Sequence, residues 1–163
     1  MKSVSCGILV FDPSGSLLLG HANESRYWDI PKGEGVAQEE GAQTAVREAF
    51  EECGLELRPE QLRELGLFEY RQDKALRVCA VLVSDFIAKS CVCASSYTDH
   101  QGRRCPEMNG FRWAAPEQLP QLCAPSLVAV LTQAVSLAAI HGQLLYEGNA
   151  VAPAPRSRHG SGI

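Results

Sequence analysis

Residues 33–55 read Gly-Glu-Gly-Val-Ala-Gln-Glu-Glu-Gly-Ala-Gln-Thr-Ala-Val-Arg-Glu-Ala-Phe-Glu-Glu-Cys-Gly-Leu. Within them Ala42, Ala45, Val46, Ala49, Phe50 and Cys53 recur at i, i+3, i+4, i+7, i+8 and i+11, the apolar stripe of an amphipathic helix. The spacing predicts a helix over residues 38–53, stopped at Gly54, where a left-handed terminal residue is expected. On that helix Glu48 stands three and four residues from Glu51 and Glu52, so the three carboxylates share one face. Like charges so spaced cost a helix roughly 0.2–0.5 kcal/mol per pair unless something neutralises them. A hard divalent cation does so, and carboxylate oxygens suit Mg2+ or Mn2+. A solvated acidic face is the plainer alternative, with Arg47 and Glu51 as a surface ion pair. Ahead of the helix, Pro31-Lys32-Gly33-Glu34-Gly35 is a glycine-rich loop that can bring backbone carbonyls near a metal and Lys32 near a phosphate.

The fixed positions decide between these readings. Gly33, Glu39, Arg47, Glu48, Glu51, Glu52, Gly54 and Leu55 fit the pattern Gly-x5-Glu-x7-Arg-Glu-U-x-Glu-Glu-x-Gly-U, with U a bulky aliphatic residue; Ala49 is small for the first U. The stretch thus resembles the Nudix box, and Trp28-Asp29-Ile30-Pro31-Lys32-Gly33 resembles the segment that leads into it. The resemblance covers roughly residues 2–135. It implies an α/β/α sandwich with a mixed sheet between helices, and a hydrolase of nucleoside diphosphates linked to another group. It also implies Mg2+ or Mn2+ bound by Glu48, Glu51 and Glu52, with Glu48 and Glu52 the firmest, and by the Gly33 carbonyl. Arg47 would orient the glutamates, Glu39 would pair with Arg47, and Gly54 would serve the turn. For the general base, both Glu48 and the downstream Glu107 stay open, the latter equally readable as a loop glutamate.

Composition agrees. The 163 residues suit one domain with a sizeable core, and 45% apolar with 21% charged residues is ordinary for a soluble globular chain. A net charge of −4 argues against generic nucleic-acid binding. An acidic chain that handles phosphates needs metal ions and local Lys or Arg. No apolar run approaches a membrane span, and the start lacks a cleavage site like that of a signal peptide. Seven cysteines without a secreted spacing read as free thiols in a reducing cytoplasm. Cys91, Cys93, His100 and Cys105 form a weak zinc pattern, with loop thiols as the alternative. A homodimer is compatible with the resemblance, although nothing identifies an interface.

Along the chain, strands are expected over residues 3–11, 16–21, 27–30, 67–71, 75–86 and 110–114. Residues 89–110 look least regular. Pro116 opens a helical turn, and a longer helix is expected from Ser126 through His141. The domain is placed at residues 1–145, and the Ala-, Pro- and Gly-rich stretch 146–163 reads as a disordered tail.

Substrate choice is thinly written. Tyr70 lies sixteen residues past Gly54, as in diadenosine polyphosphate hydrolases, and a tyrosine there can stack on a base or simply end a strand. Lys32 and Arg71 are candidate phosphate ligands, and Trp28 can line a base pocket or pack in the core. The leading reading is a metal-dependent pyrophosphohydrolase of a small nucleotide, a dinucleoside polyphosphate among them. Its alternatives are a nucleoside triphosphate pyrophosphohydrolase and a non-catalytic nucleotide-sensing module. The isoprenyl diphosphate isomerases of the family carry cysteine and glutamate motifs not placed here, and a plain interaction domain leaves the box unexplained.

Overall fold

The computed structural model describes residues 2–153. In chain order its elements are β1 (Ser3–Phe11), β2 (Leu17–Ala22), β3 (Trp28–Asp29), β4 (Lys32–Glu34), α1 (Gly41–Cys53), β5 (Arg63–Arg71), β6 (Lys74–Leu82), β7 (Ser96–Thr98), β8 (Arg104–Pro106), β9 (Met108–Ala114), α2 (Leu119–Leu122), α3 (Pro125–Ala129) and α4 (Leu137–Glu147).

The main sheet runs β3-β2-β1-β6-β5, with β4 added to β1 and β9 to β2. It is mixed because β1 and β6 run parallel over their whole length, Ser3 opposite Lys74 through Phe11 opposite Leu82, while the other pairs are antiparallel. Both faces of β1 are buried, and the period of two sorts its side chains. Leu9 and Phe11 join Leu76, Val78 and Leu82 beneath Leu127, Val130, Leu131 and Leu137 of the C-terminal helices. Cys6, Ile8 and Val10 pack on the opposite face against Ala45, Ala49 and Cys53 of α1. The result is the expected sandwich, with α1 on one side and α2 to α4 on the other.

Several expected boundaries move, each for a local reason. Helix α1 starts at Gly41 because Gln38 takes a left-handed φ of 70° and Glu40 caps the helix, its N–H donating to Gln43 Oε1 at 3.0 Å. Part of the expected glycine loop is a strand, since β4 pairs with Ser5, Cys6 and Gly7. The helix expected from Ser126 breaks: Val130–Ala134 is a π turn, Val135 is extended, and Ser136 caps α4 through its bond from Ala139 N–H. The irregular stretch contains a hairpin, β7 with β8, closed by Asp99, whose Oδ1 accepts the Gln101 and Arg103 N–H groups. The expected tail begins too early at 146. Helix α4 runs to Glu147, and Val151 lies against Leu82 and Ser84 through backbone hydrogen bonds; the rest of that stretch, 154–163, lies outside the described residues. Among the described residues no single helix is long and apolar enough to cross a membrane.

Candidate active site

The face of α1 beside its apolar stripe turns toward β4, and Arg47 organises it. Its Nε donates to Glu39 Oε2 at 2.7 Å, its Nη1 to Glu48 Oε1 at 2.9 Å and Glu51 Oε2 at 3.2 Å, and its Nη2 to Glu39 Oε1 at 3.2 Å and the Glu34 carbonyl at 3.0 Å. Only the planar fork of an arginine reaches three carboxylates and a carbonyl in this way. Glu39 also accepts from Thr44 Oγ1 at 2.8 Å and the Val36 N–H at 3.1 Å. Arg47, helped by Thr44, holds the Glu39 carboxyl down at about 2, and Glu39 in turn raises the Arg47 pKa.

Gly33 has a steric reason. A Cβ there would stand 2.2 Å from Glu48 Cδ, so the bare Cα is the floor on which the Glu48 carboxylate rests. Glu48 stands beside Glu52, and burial, opposed by Arg47, raises its pKa. Glu52 is only 3% exposed, and its Oε2 is buried without a partner. Burial, with Glu48 and Asp29 close by, pushes its pKa well above the usual carboxylate range. Asp29 repeats the pattern: Oδ2 meets Lys32 Nζ at 3.1 Å while Oδ1 is buried and unpartnered. Burial raises the Asp29 pKa; for Lys32 burial is the largest single influence and lowers the pKa, but Asp29, Tyr70 and Glu52 together raise it.

Glu52, Asp29 and Lys32 line one cleft of about 420 Å3 together with Ala22, Asn23, Glu24, Tyr97, Glu107 and Met108. Lys32 is the only base in this lining among the described residues, against four acids. Among the described residues no three acidic, His or Cys side chains are already gathered as a cation cage, and Arg47 holds oxygens of Glu48 and Glu51. A divalent cation nevertheless fits: the donors are hard oxygens, two are orphaned in a buried site, and the local charge is negative.

The structure brings Lys32, Glu52 and Glu107 into the cleft, with Glu48 next to Glu52 and Gly33 against Glu48. Glu51 stands at the edge, 40% exposed and held by Arg47. Gly54 is the left-handed cap of α1, at φ 74°. Tyr70 is 7% exposed and part of the core, its ring between Lys32 Nζ at 5.7 Å and the Arg71 guanidinium at 5.0 Å. Arg71 itself is exposed. Trp28 lies outside the cleft lining, between His21 and Arg112. The zinc pattern is not assembled: Cys93 Sγ donates to the Ser95 carbonyl and accepts the Met108 N–H, Cys105 donates to Asp99, and all seven cysteines are free thiols. Of the ionisable cleft residues, Glu24, Asp29 and Tyr97 escaped the sequence reading, and Glu24 lies in a turn that no motif marks. Asp29 stood three residues before Lys32 in the quoted lead-in, which is a usable signal. Tyr97 sits on a hairpin that no apolar period announces.

Comparisons with known proteins agree with this fold. The family model for the NUDIX domain matches residues 1–133. An uncharacterised 17.7 kDa protein from the e-segB intergenic region of Enterobacteria phage T4 is 30% identical over 142 residues, covering 80% of this chain and 94% of that protein. Among solved structures, a Caenorhabditis elegans Ap4A hydrolase superposes with a TM-score of 0.53 at 18% identity, covering 89% of this chain and 98% of that one. The NUDIX domain of Shewanella oneidensis NrtR, solved with ADP ribose, superposes with a TM-score of 0.55 at 14% identity, covering 78% and 82%. At such identities the superpositions speak for the fold, whereas the domain match spans most of the sequence and contains the whole Arg47–Glu52 constellation. The chain therefore belongs to the NUDIX domain family, as a Nudix-type pyrophosphohydrolase.

Proposed function

We propose that the protein hydrolyses a nucleoside diphosphate linked to a second moiety, with dinucleoside polyphosphates among the first compounds to test. Support comes above all from the buried, unpartnered Glu52 oxygen beside Glu48, framed by Arg47 and Gly33. Glu48 and Glu52 would hold a Mg2+ or Mn2+ ion, with Glu51 and the Gly33 carbonyl at its margin. Such an ion, when bound, neutralises phosphate charge and lowers the pKa of a bound water. Lys32, fixed by Asp29, binds phosphate oxygens as a point charge. Glu107, in the same cleft, accepts the proton of the attacking water. The water oxygen bonds to phosphorus as the bond from phosphorus to the bridging oxygen breaks, and the departing phosphate keeps that oxygen. Arg47 and Glu39 touch no substrate and act by holding the carboxylates in place.

Phosphate release from a nucleotide panel, with and without Mg2+ or Mn2+, tests this. Turnover should need the metal and fall by about 10²–10³ in Glu52→Gln or Glu48→Gln, the scale of losing one fixed electrostatic partner. Glu51→Gln should also reduce it. Turnover that survives both metal removal and Glu52→Gln would overturn the proposal.

A further inference from the structure

The cleft has an end that the phosphate chemistry does not use. Hairpin β7–β8 is clamped there at its base. The Ala94 and Ser95 N–H groups donate to the Glu51 carbonyl at 2.6 and 3.1 Å, tying the hairpin to α1. On the other side Asn23 Nδ2 donates to the Pro106 carbonyl at 3.2 Å and Asn23 N–H to the Glu107 carbonyl at 2.8 Å, tying it to the β2–β3 turn. Arg104 Nε, donating to Ser96 Oγ at 2.8 Å, braces the two strands. This frame puts Tyr97 on the cleft wall beside Asn23 and Glu24.

Two polar side chains meet at that wall. The Tyr97 hydroxyl is buried, with the Glu24 carboxylate beside it and no hydrogen bond of good geometry joining the two. Glu24 adopts a left-handed φ of 63° in the turn that the Ser25 N–H closes on the Ala22 carbonyl at 3.1 Å, and that turn sets Glu24 in the cleft lining. Burial and the adjacent Glu24 keep the Tyr97 phenol protonated, so the wall offers a neutral O–H donor next to an anionic acceptor.

From this pair we infer that Tyr97 and Glu24 are specificity-determining residues that bind the uncharged, hydrogen-bond-donating part of the nucleotide, its ribose hydroxyls or base amino group, and turn phosphate away from that end. The inference rests on the proposed nucleotide chemistry of the same cleft. A carboxylate repels a phosphate and accepts from hydroxyl or amino donors, whereas the phenol supplies the complementary O–H to an oxygen or ring nitrogen. The polyphosphate chain is therefore directed toward Lys32 and Glu52, and the nucleoside toward the hairpin.

The test is equilibrium binding by calorimetry, run beside turnover, for the wild type, Tyr97→Phe and Glu24→Gln. The probes are ADP, 2′-deoxy-ADP, IDP and inorganic pyrophosphate. Tyr97→Phe should weaken ADP binding about three- to tenfold, the loss of one neutral hydrogen bond. Glu24→Gln should weaken it by about tenfold or more, the loss of a charge-assisted one. Pyrophosphate, which has no nucleoside, should bind Tyr97→Phe as it binds the wild type and bind Glu24→Gln at least as well. A smaller effect of Glu24→Gln on 2′-deoxy-ADP assigns the pair to the ribose, and on IDP to the base amino group. Unchanged ADP affinity in both variants, or an equal loss for pyrophosphate, overturns the inference. Should the wild type bind ADP without cleaving any nucleotide, hydrolysis fails as a reading while the variants still decide this one. A wild type that binds no nucleotide sinks both.

Discussion

At the scale of single residues the site is built from contacts that leave no spare room. Gly33 is the sharpest case. Alanine would put its Cβ 2.2 Å from Glu48 Cδ, and that carboxylate is pinned on its other side by Arg47, with Glu52 beside it. Gly33→Ala should therefore displace Glu48, lower turnover by about 10²-fold or more, and leave the fold standing; activity with circular dichroism checks both. Glu39 makes a different prediction because its role is indirect. Glu39→Gln should reduce turnover by about 10–100-fold, as expected when a residue that orients others is lost. Its carboxyl is held down at about 2, below its ordinary 4.5. The unfolded chain therefore takes up the proton first as pH falls. The stabilisation from Glu39 is complete above pH 4.5 and is lost as pH drops toward 2. Thermal midpoints of the wild type and Glu39→Gln should converge over that window; a constant gap would show that the Arg47 pair does not stabilise the fold.

At the scale of elements, α1 is where sequence and structure agree best, since its stripe, its Gly54 stop and its acidic face were all written at helical spacing. Gly54 caps it at φ 74°, and its N–H donates to the Ala49 and Phe50 carbonyls. Alanine in that conformation costs about 1 kcal/mol. For a chain of this size Gly54→Ala should lower the thermal midpoint by roughly 2–4 °C with little change in turnover, because the cap touches none of the cleft residues; a tenfold drop in turnover would contradict that division of labour. The strands β1, β2 and β6 were legible for the same reason as the helix, namely apolar runs long enough to be buried on both faces. What was illegible depends on contacts distant in sequence. Hairpin β7–β8 is held by Asp99 and by ties to Glu51 and Asn23, so its strands carry no hydrophobic alternation to read. The break between α3 and α4 was hidden because Leu127, Val130, Leu131, Ala134 and Leu137 keep helical spacing across an extended Val135. Tyr70 drew attention by its distance from the box, yet its burial between Lys32 and Arg71 is decided by the pairing of β5 with β6.

At the scale of the whole molecule, the sandwich depends on a sheet buried on both faces, and that burial encloses thiols as well as hydrocarbon. Cys79 on β6 has its pKa pushed up to about 11, by burial first and then by Glu64 and Cys6. Cys123, beyond α2, is pushed to about 12, again by burial first and then by Asp29. Both thiols stay protonated in the folded protein while the unfolded chain releases the same protons near pH 9. Between pH 9 and about 11 for Cys79, and about 12 for Cys123, the folded state holds protons that the unfolded state has lost, so stability falls as pH rises. Each thiol removes up to about 1.4 kcal/mol per pH unit across its window. Urea midpoints measured from pH 7 to 11 should therefore decline more steeply above pH 9 in the wild type than in a Cys79→Val, Cys123→Ala variant. The variant starts lower, since Cys123→Ala leaves a small void, and the two curves should approach each other as pH increases. Parallel curves would mean that these thiols ionise as readily inside the sheet as outside it, and that the two packed faces admit water.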